Sequence, residues 1–101
     1  MQITAPQEAM QDGDSNRVFV GKKNVMSYVL AVVTQFNNGA SEVHLKARGK
    51  AISRAVDVTQ ITKNRFIPTL AIKDIRIMTE ELTSEDGSVA KVSSMDILLT
   101  R

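Results

Sequence analysis

The chain has no cysteine and no tryptophan, and only two prolines, one histidine and four aromatic residues among its 101. Without cysteine, disulfides, thiolate nucleophiles and sulfur-ligated zinc or iron sites are all excluded, which fits a reducing interior. The single histidine, His44, lies between Glu42 and Lys46 in an alternating segment and reads as a solvated strand residue. No His/Asp/Glu set has the spacing of a metal site, and no serine stands beside a base in a recognisable motif. Glu80-Glu81 and Glu85-Asp86 flank an expected hairpin tip, where water leaves carboxylates with ordinary acidity and no pocket holds a substrate. No metal, cofactor, small-molecule substrate or enzymatic activity is therefore expected. The longest uninterrupted apolar run, Val29 to Val33, is far short of the roughly 18 residues that span a bilayer, and no charged-then-apolar leader opens the chain. A soluble cytoplasmic protein with no membrane partner is the expectation.

What is present is one core's worth of apolar residues, 43% of the chain, and an uneven distribution of charge. The formal net charge is only +2, yet all 13 basic residues follow Asn16 while three of the 11 acids, Glu8, Asp12 and Asp14, precede it. Residues 17–101 thus carry a formal +5. Residues 1–15 are rich in polar and small residues and read as a disordered acidic tail, leaving 16–101 as a single domain. A basic domain binds polyanions only where its charge is clustered.

The run Arg17-Val18-Phe19-Val20 reads as a strand stopped by Gly21. From Val25 the period becomes helical, with Val25, Val29, Val32, Val33 and Phe36 on one stripe, widened by Met26 and Leu30. Asn24 suits the cap at its start and Gly39 the turn at its end. Val43, Leu45 and Ala47 alternate with Glu42, His44 and Lys46 as a half-buried strand closed by Gly49. A second helix carries Ile52, Ala55, Val56 and Thr59 on its main stripe and Val58, Ile61 and Phe66 partly off it, and should stop at Ile67 before Pro68. Its two apolar faces imply two partners. The phase change between Leu70/Ile72 and Ile75/Ile77 places a bulge near Lys73 or Asp74 in the third strand. Ser84-Glu85-Asp86-Gly87 is a turn, and Val89 to Thr100 a long fourth strand with its own change of phase near Ser93 and Ser94. The expected fold is α/β (α+β): one β-α-β-α-β-β domain, two helices on a four-stranded mixed sheet, with the last two strands an extended hairpin projecting beyond the core.

Within this order Lys22 and Lys23 occupy the first strand-to-helix turn, and Lys46, Arg48, Lys50 and Arg54 run from the second strand into the second helix. Side by side, the two turns would add backbone N–H groups and helix dipoles to the side-chain charge, and phosphate is the natural ligand. Gly21 and Gly49 permit close backbone approach, or serve only the turns. Neither turn is a P-loop, because Asn16 and His44 stand where glycine is required and Lys23 and Ala51 where Ser or Thr is. Phe19 and Phe36 read as core and Tyr28 as partly exposed, leaving Phe66 for a surface contact, so backbone recognition is favoured over base reading.

Gly21-Lys22-Lys23 with Val25-Met26-Ser27-Tyr28-Val29-Leu30-Ala31, followed by Lys46-Ala47-Arg48-Gly49-Lys50-Ala51-Ile52-Ser53-Arg54-Ala55-Val56-Asp57, closely resembles the Alba family of archaeal chromatin proteins. Asn64-Arg65-Phe66 and Thr79-Glu80-Glu81-Leu82 match as well, so the resemblance covers about 16–101. It implies a homodimer built through the second helix and last strands, and sequence-independent binding that coats and compacts double-stranded DNA and also takes RNA, in association with the chromosome. It leaves open a heterodimer with a paralogue and RNA, as in a ribonucleoprotein, as the main ligand. By the same resemblance Lys22 and Lys23 contact phosphates near the dimer centre, Arg48 and Lys50 extend that surface, the hairpins reach along the minor groove, and Phe66 joins dimer to dimer. Lys22 or Lys23 is the candidate for an acetylation that lowers affinity, since acetylation removes the charge. Two departures stand out: Ser88 follows the hairpin glycine where the family often has a basic residue, and Asn24 stands where proline is common.

Overall fold

The computed structural model describes residues 16–101, and the acidic tail expected over 1–15 lies outside the described residues. Strand β1 (Arg17–Val20) buries Val18 and Val20 and leaves Arg17 and Phe19 outside. Helix α1 (Val25–Asn37) follows, started by Asn24, whose side-chain oxygen accepts the Ser27 N–H at 3.0 Å. Such a cap contributes about 1 kcal/mol. The helix ends at Gly39, whose φ of 102° is costly for any residue with a side chain. Tyr28, Val29, Val32 and Phe36 form its buried face, whereas Met26 and Leu30, expected to widen that face, are exposed.

Strand β2 (Glu42–Arg48) alternates as expected, burying Val43, Leu45 and Ala47. Helix α2 (Ala51–Ile61) continues into one π-helical turn, Thr62–Phe66, and the chain leaves helical geometry at Ile67. The wider turn resets the phase of the helix. Ala55, Val58, Thr59 and Thr62 face the core and Val56 faces out, so the stripe expected through Val56 is displaced by two residues. Thr59 and Thr62 are buried because their hydroxyls donate to the Ala55 and Val58 carbonyls at 3.0 and 2.7 Å.

Strands β3 (Ala71–Thr83) and β4 (Val89–Thr100) complete a sheet of order β1-β2-β4-β3, parallel between β1 and β2 and antiparallel elsewhere. The register between β3 and β4 slips between Ile72 and Asp74, at the expected bulge. No slip accompanies the apolar phase change at Ser93 and Ser94. There β4 simply passes the end of β2, where Arg48 pairs with Ser94, and continues with β3 as a two-stranded arm to the Ser84–Ser88 turn. The arm makes the molecule long, 45 × 23 × 23 Å.

Both helices pack on one side of the sheet, over a core that includes Phe36, Leu45, Leu70 and Leu99, each no more than 1% exposed. Burying side chains of this size stabilises the fold by about 1.5–3 kcal/mol each. The cover stops short of β3: Ile72, Ile75 and Ile77 pair with Leu99, Ile97 and Met95 and so share the helix side, yet they are exposed. Among the described residues the opposite side of the sheet carries no helix, and there Phe19, Lys46, Arg48, Asp96, Met78 and Glu80 lie.

Candidate nucleic-acid interface

Because β1 and β2 are parallel, their carboxyl ends emerge together, and the turns after Val20 and Arg48 are neighbours. They bound a cleft of about 620 Å³ whose lining includes Gly21, Lys22, Lys46, Arg48, Lys50 and Arg54. Of the eight residues expected at the interface, Lys23 and Gly49 do not line the cleft. Five basic side chains there face two carboxylates, Glu80 and Asp96.

The cations are not equivalent. Lys22, Lys23 and Lys50 are exposed and make no ion pair among the described residues. Lys46 lies 3.2 Å from Asp96, whose other oxygen meets His44 Nδ1 at 3.1 Å, so the histidine expected to be merely solvated has a carboxylate partner. Arg48 donates to Glu80 at 2.8 Å. That bond, then one from Ser94, holds the Glu80 carboxyl below its usual range, against the expectation of an ordinary solvated carboxylate. Arg54 is turned inward and donates to the Gly21 carbonyl at 2.6 Å, bracing the first turn from α2.

Tyr28 braces the same turn from α1. Expected to be partly exposed, it is 5% exposed, and its hydroxyl accepts the Lys23 N–H at 2.9 Å. A Cβ on Gly21 would come to 3.3 Å from that hydroxyl, tight enough that Tyr28 would have to shift, while Gly49, at φ 55°, is favoured by its backbone angle. The Lys23, Ser27 and Ile52 amides are satisfied within the turns, by Tyr28, Asn24 and Gly49. Side-chain charge therefore carries more of the surface, and backbone amides less, than the turns alone implied.

The aromatic residues divide differently from expectation. Phe36 is buried, with Arg101 5.5 Å over its ring, and Phe66, the last residue of the π turn, is 42% exposed. Phe19, expected in the core, is 53% exposed on the open sheet face and lines the cleft. At the arm's tip Asp86 accepts the Ser88 N–H and hydroxyl at 2.9 and 2.7 Å. These bonds keep its carboxyl below the usual range, another departure from ordinary acidity, and occupy Ser88. The tip is acidic and offers no cation. Phe19, Tyr28, Glu80 and Asp96 are thus the site residues that sequence reasoning missed.

The Alba family profile matches residues 16–79. The chain is 59% identical over 86 residues to the DNA/RNA-binding protein Alba 1 of Archaeoglobus fulgidus, covering 85% of this chain and 96% of that one. It is 56% identical over 88 residues to the DNA/RNA-binding protein Alba of Methanocella arvoryzae, covering 87% and 92%. Among solved structures, Alba from Thermoplasma volcanium superimposes with a TM-score of 0.79 at 55% identity over 84% of this chain and 99% of that one. An Alba protein from Trypanosoma brucei, at 24% identity and a TM-score of 0.70 over 85% and 68%, shares the fold. Profile, sequence relatives and architecture agree over the described residues, and the chain belongs to the Alba family.

Proposed function

We propose that this protein binds double-stranded DNA and RNA through their phosphates, without reading sequence, and coats and compacts the chromosome as a dimer. The observation that carries this reading is the cleft between the two strand-to-helix turns, where Lys22, Lys46, Arg48, Lys50 and Arg54 converge. Relatives named DNA/RNA-binding protein Alba support both polymers as ligands. Phosphate contact through lysine and arginine makes affinity fall steeply with salt and leaves it equal for different sequences. Competition between duplex DNAs of unrelated sequence, and between DNA and structured RNA of equal length, at one physiological salt concentration tests the reading. Equal affinity among the DNAs supports it, and no binding, or one strongly preferred sequence, overturns it. Acetylation of Lys22 or Lys23 would remove one charge and lower affinity.

Dimerisation is supported by the helix side of β3, which the described residues leave uncovered and where Ile72, Ile75 and Ile77 are 44, 50 and 74% exposed, and by Val56, exposed on α2. A strip of this kind marks an interface. Light scattering at micromolar concentration is expected to give about twice the 11.1 kDa chain mass, and Ile77→Glu to give a monomer. A monomeric wild-type chain would refute the dimer.

Phe66 is proposed to join dimers along DNA. Phe66→Ala is expected to keep the dimer and the melting temperature while reducing cooperativity of coating. A large fall in melting temperature with unchanged cooperativity would instead make Phe66 a packing residue.

A further inference from the structure

Phe19 is an expense the fold has no evident need to bear: a large apolar ring on a strand whose inward positions, Val18 and Val20, already serve the core. It stands beside Lys46 in the β1–β2 register, and Lys46 in turn pairs with Asp96. Phe19 also lines the same cleft as Lys22, Arg48 and the half-exposed Met78. Among the described residues no helix covers this side of the sheet, and at 53% exposure the ring's face is approachable by a flat ligand. An aromatic ring set among cations at one end of an uncovered sheet matches what a single nucleotide presents, a π-face joined to a phosphate.

We propose that the open sheet face holds an unpaired base of single-stranded DNA or RNA, stacked on Phe19, while Lys22, Lys46 and Arg48 hold the adjoining phosphates. The inference rests on the nucleic-acid reading above and deepens it. In a duplex the bases are already stacked on each other and their faces are unavailable, so Phe19 contributes to single strands and loops and not to duplexes. It is the one aromatic residue of the described sheet face, so each protomer takes one base. Stacking on any base serves, and the site adds affinity for unpaired segments with little sequence preference. The surface thereby distinguishes two forms of the same polymer that phosphate contacts alone treat alike.

Phe19→Leu keeps the apolar bulk and removes the π-face. Its affinity for a homopolymeric single strand, oligo(dT) or oligo(U), is expected to fall about fivefold or more, the lower end of what one stacked base supplies. Affinity for duplex DNA should change less than about twofold, with the melting temperature unchanged. Leu30→Ala, which alters an equally exposed apolar residue on α1 outside the cleft, serves as the control and should leave single-strand affinity intact. Because the chain has no tryptophan, Phe19→Trp introduces one reporter whose fluorescence should be quenched by the single strand and not by duplex. Unchanged single-strand affinity in Phe19→Leu, equal losses on both polymers, or an unquenched indole would each overturn the stacking site. Should the wild-type protein bind neither polymer, the broader nucleic-acid reading falls as well, so the two failures are distinguishable.

Discussion

Replacing Lys22 or Lys23 by alanine is expected to flatten the dependence of log affinity on log salt by about two units per substitution, measured on duplex DNA. The magnitude follows from counterion release, about 0.9 unit for each phosphate no longer neutralised, with each substitution entering a dimer twice. Both side chains are exposed and unpaired among the described residues, so no internal partner is disturbed, and melting temperatures should stay nearly unchanged. The backbone of Lys23 is fixed independently of its side chain through the bond from its N–H to Tyr28, and the turn survives the substitution. The weakening should be equal for unrelated sequences, since a phosphate contact carries no base information. Lys73 is the control: exposed, and next to the bulge at the end of β3 remote from the cleft. If Lys73→Ala flattens the slope as much as the pair does, attraction is a diffuse, screened property of the surface and the cleft is not the site.

The parts of this molecule that could be read from the chain were those governed by local rules. The Asn24 cap, the Gly39 stop, the alternation of β2 and the bulge beside Lys73 each depend on a few adjacent residues, and each is found where expected. The parallel pairing of β1 and β2, which brings the two basic turns together, followed from strands alternating with helices. Misreadings arose where a distant contact decided the matter. Phe19 lies in a run, Val18-Phe19-Val20, that is apolar throughout, and only the position of the helices shows which side of it is dry. Val56 and Val58 exchanged places because two threonines, Thr59 and Thr62, complete the buried stripe with Ala55 and Val58, their hydroxyls satisfied by the helix's own carbonyls, and a polar residue such as Thr62 gave no sign of a core face. The pairing of Arg48 with Glu80 spans 32 residues and that of His44 with Asp96 spans 52, so both depend on strand register, which the sequence pattern left open.

That distant pairing makes Glu80 a restraint on binding. A phosphate that reaches Arg48 meets a carboxylate already bonded to the guanidinium at 2.8 Å, which competes for its donors and sets a negative charge close to the polyanion. Glu80→Gln is therefore expected to bind duplex DNA more tightly and to steepen the salt slope by up to about two units per dimer, as one more phosphate contact per protomer becomes available. The pH dependence has a definite sign. Arg48, and after it Ser94, depresses the Glu80 pKa, so the carboxylate stays ionised until the pH falls below the ordinary carboxylate range, and only then is Arg48 released. Wild-type affinity should gain on acidification through that window relative to Glu80→Gln, and the gap between the two proteins should close. The same linkage gives the ion pair its stabilising effect above the unfolded-state pKa and removes it as pH falls through the lower folded value. With Arg48 and Glu80 side chains 57 and 33% exposed, water screens the pair and the effect on melting should be slight. The opposite role, in which Glu80 aims Arg48 at the phosphate, makes the contrary forecast: Glu80→Gln would then weaken binding and flatten the slope, because an arginine without its carboxylate would lose its orientation along with its competitor.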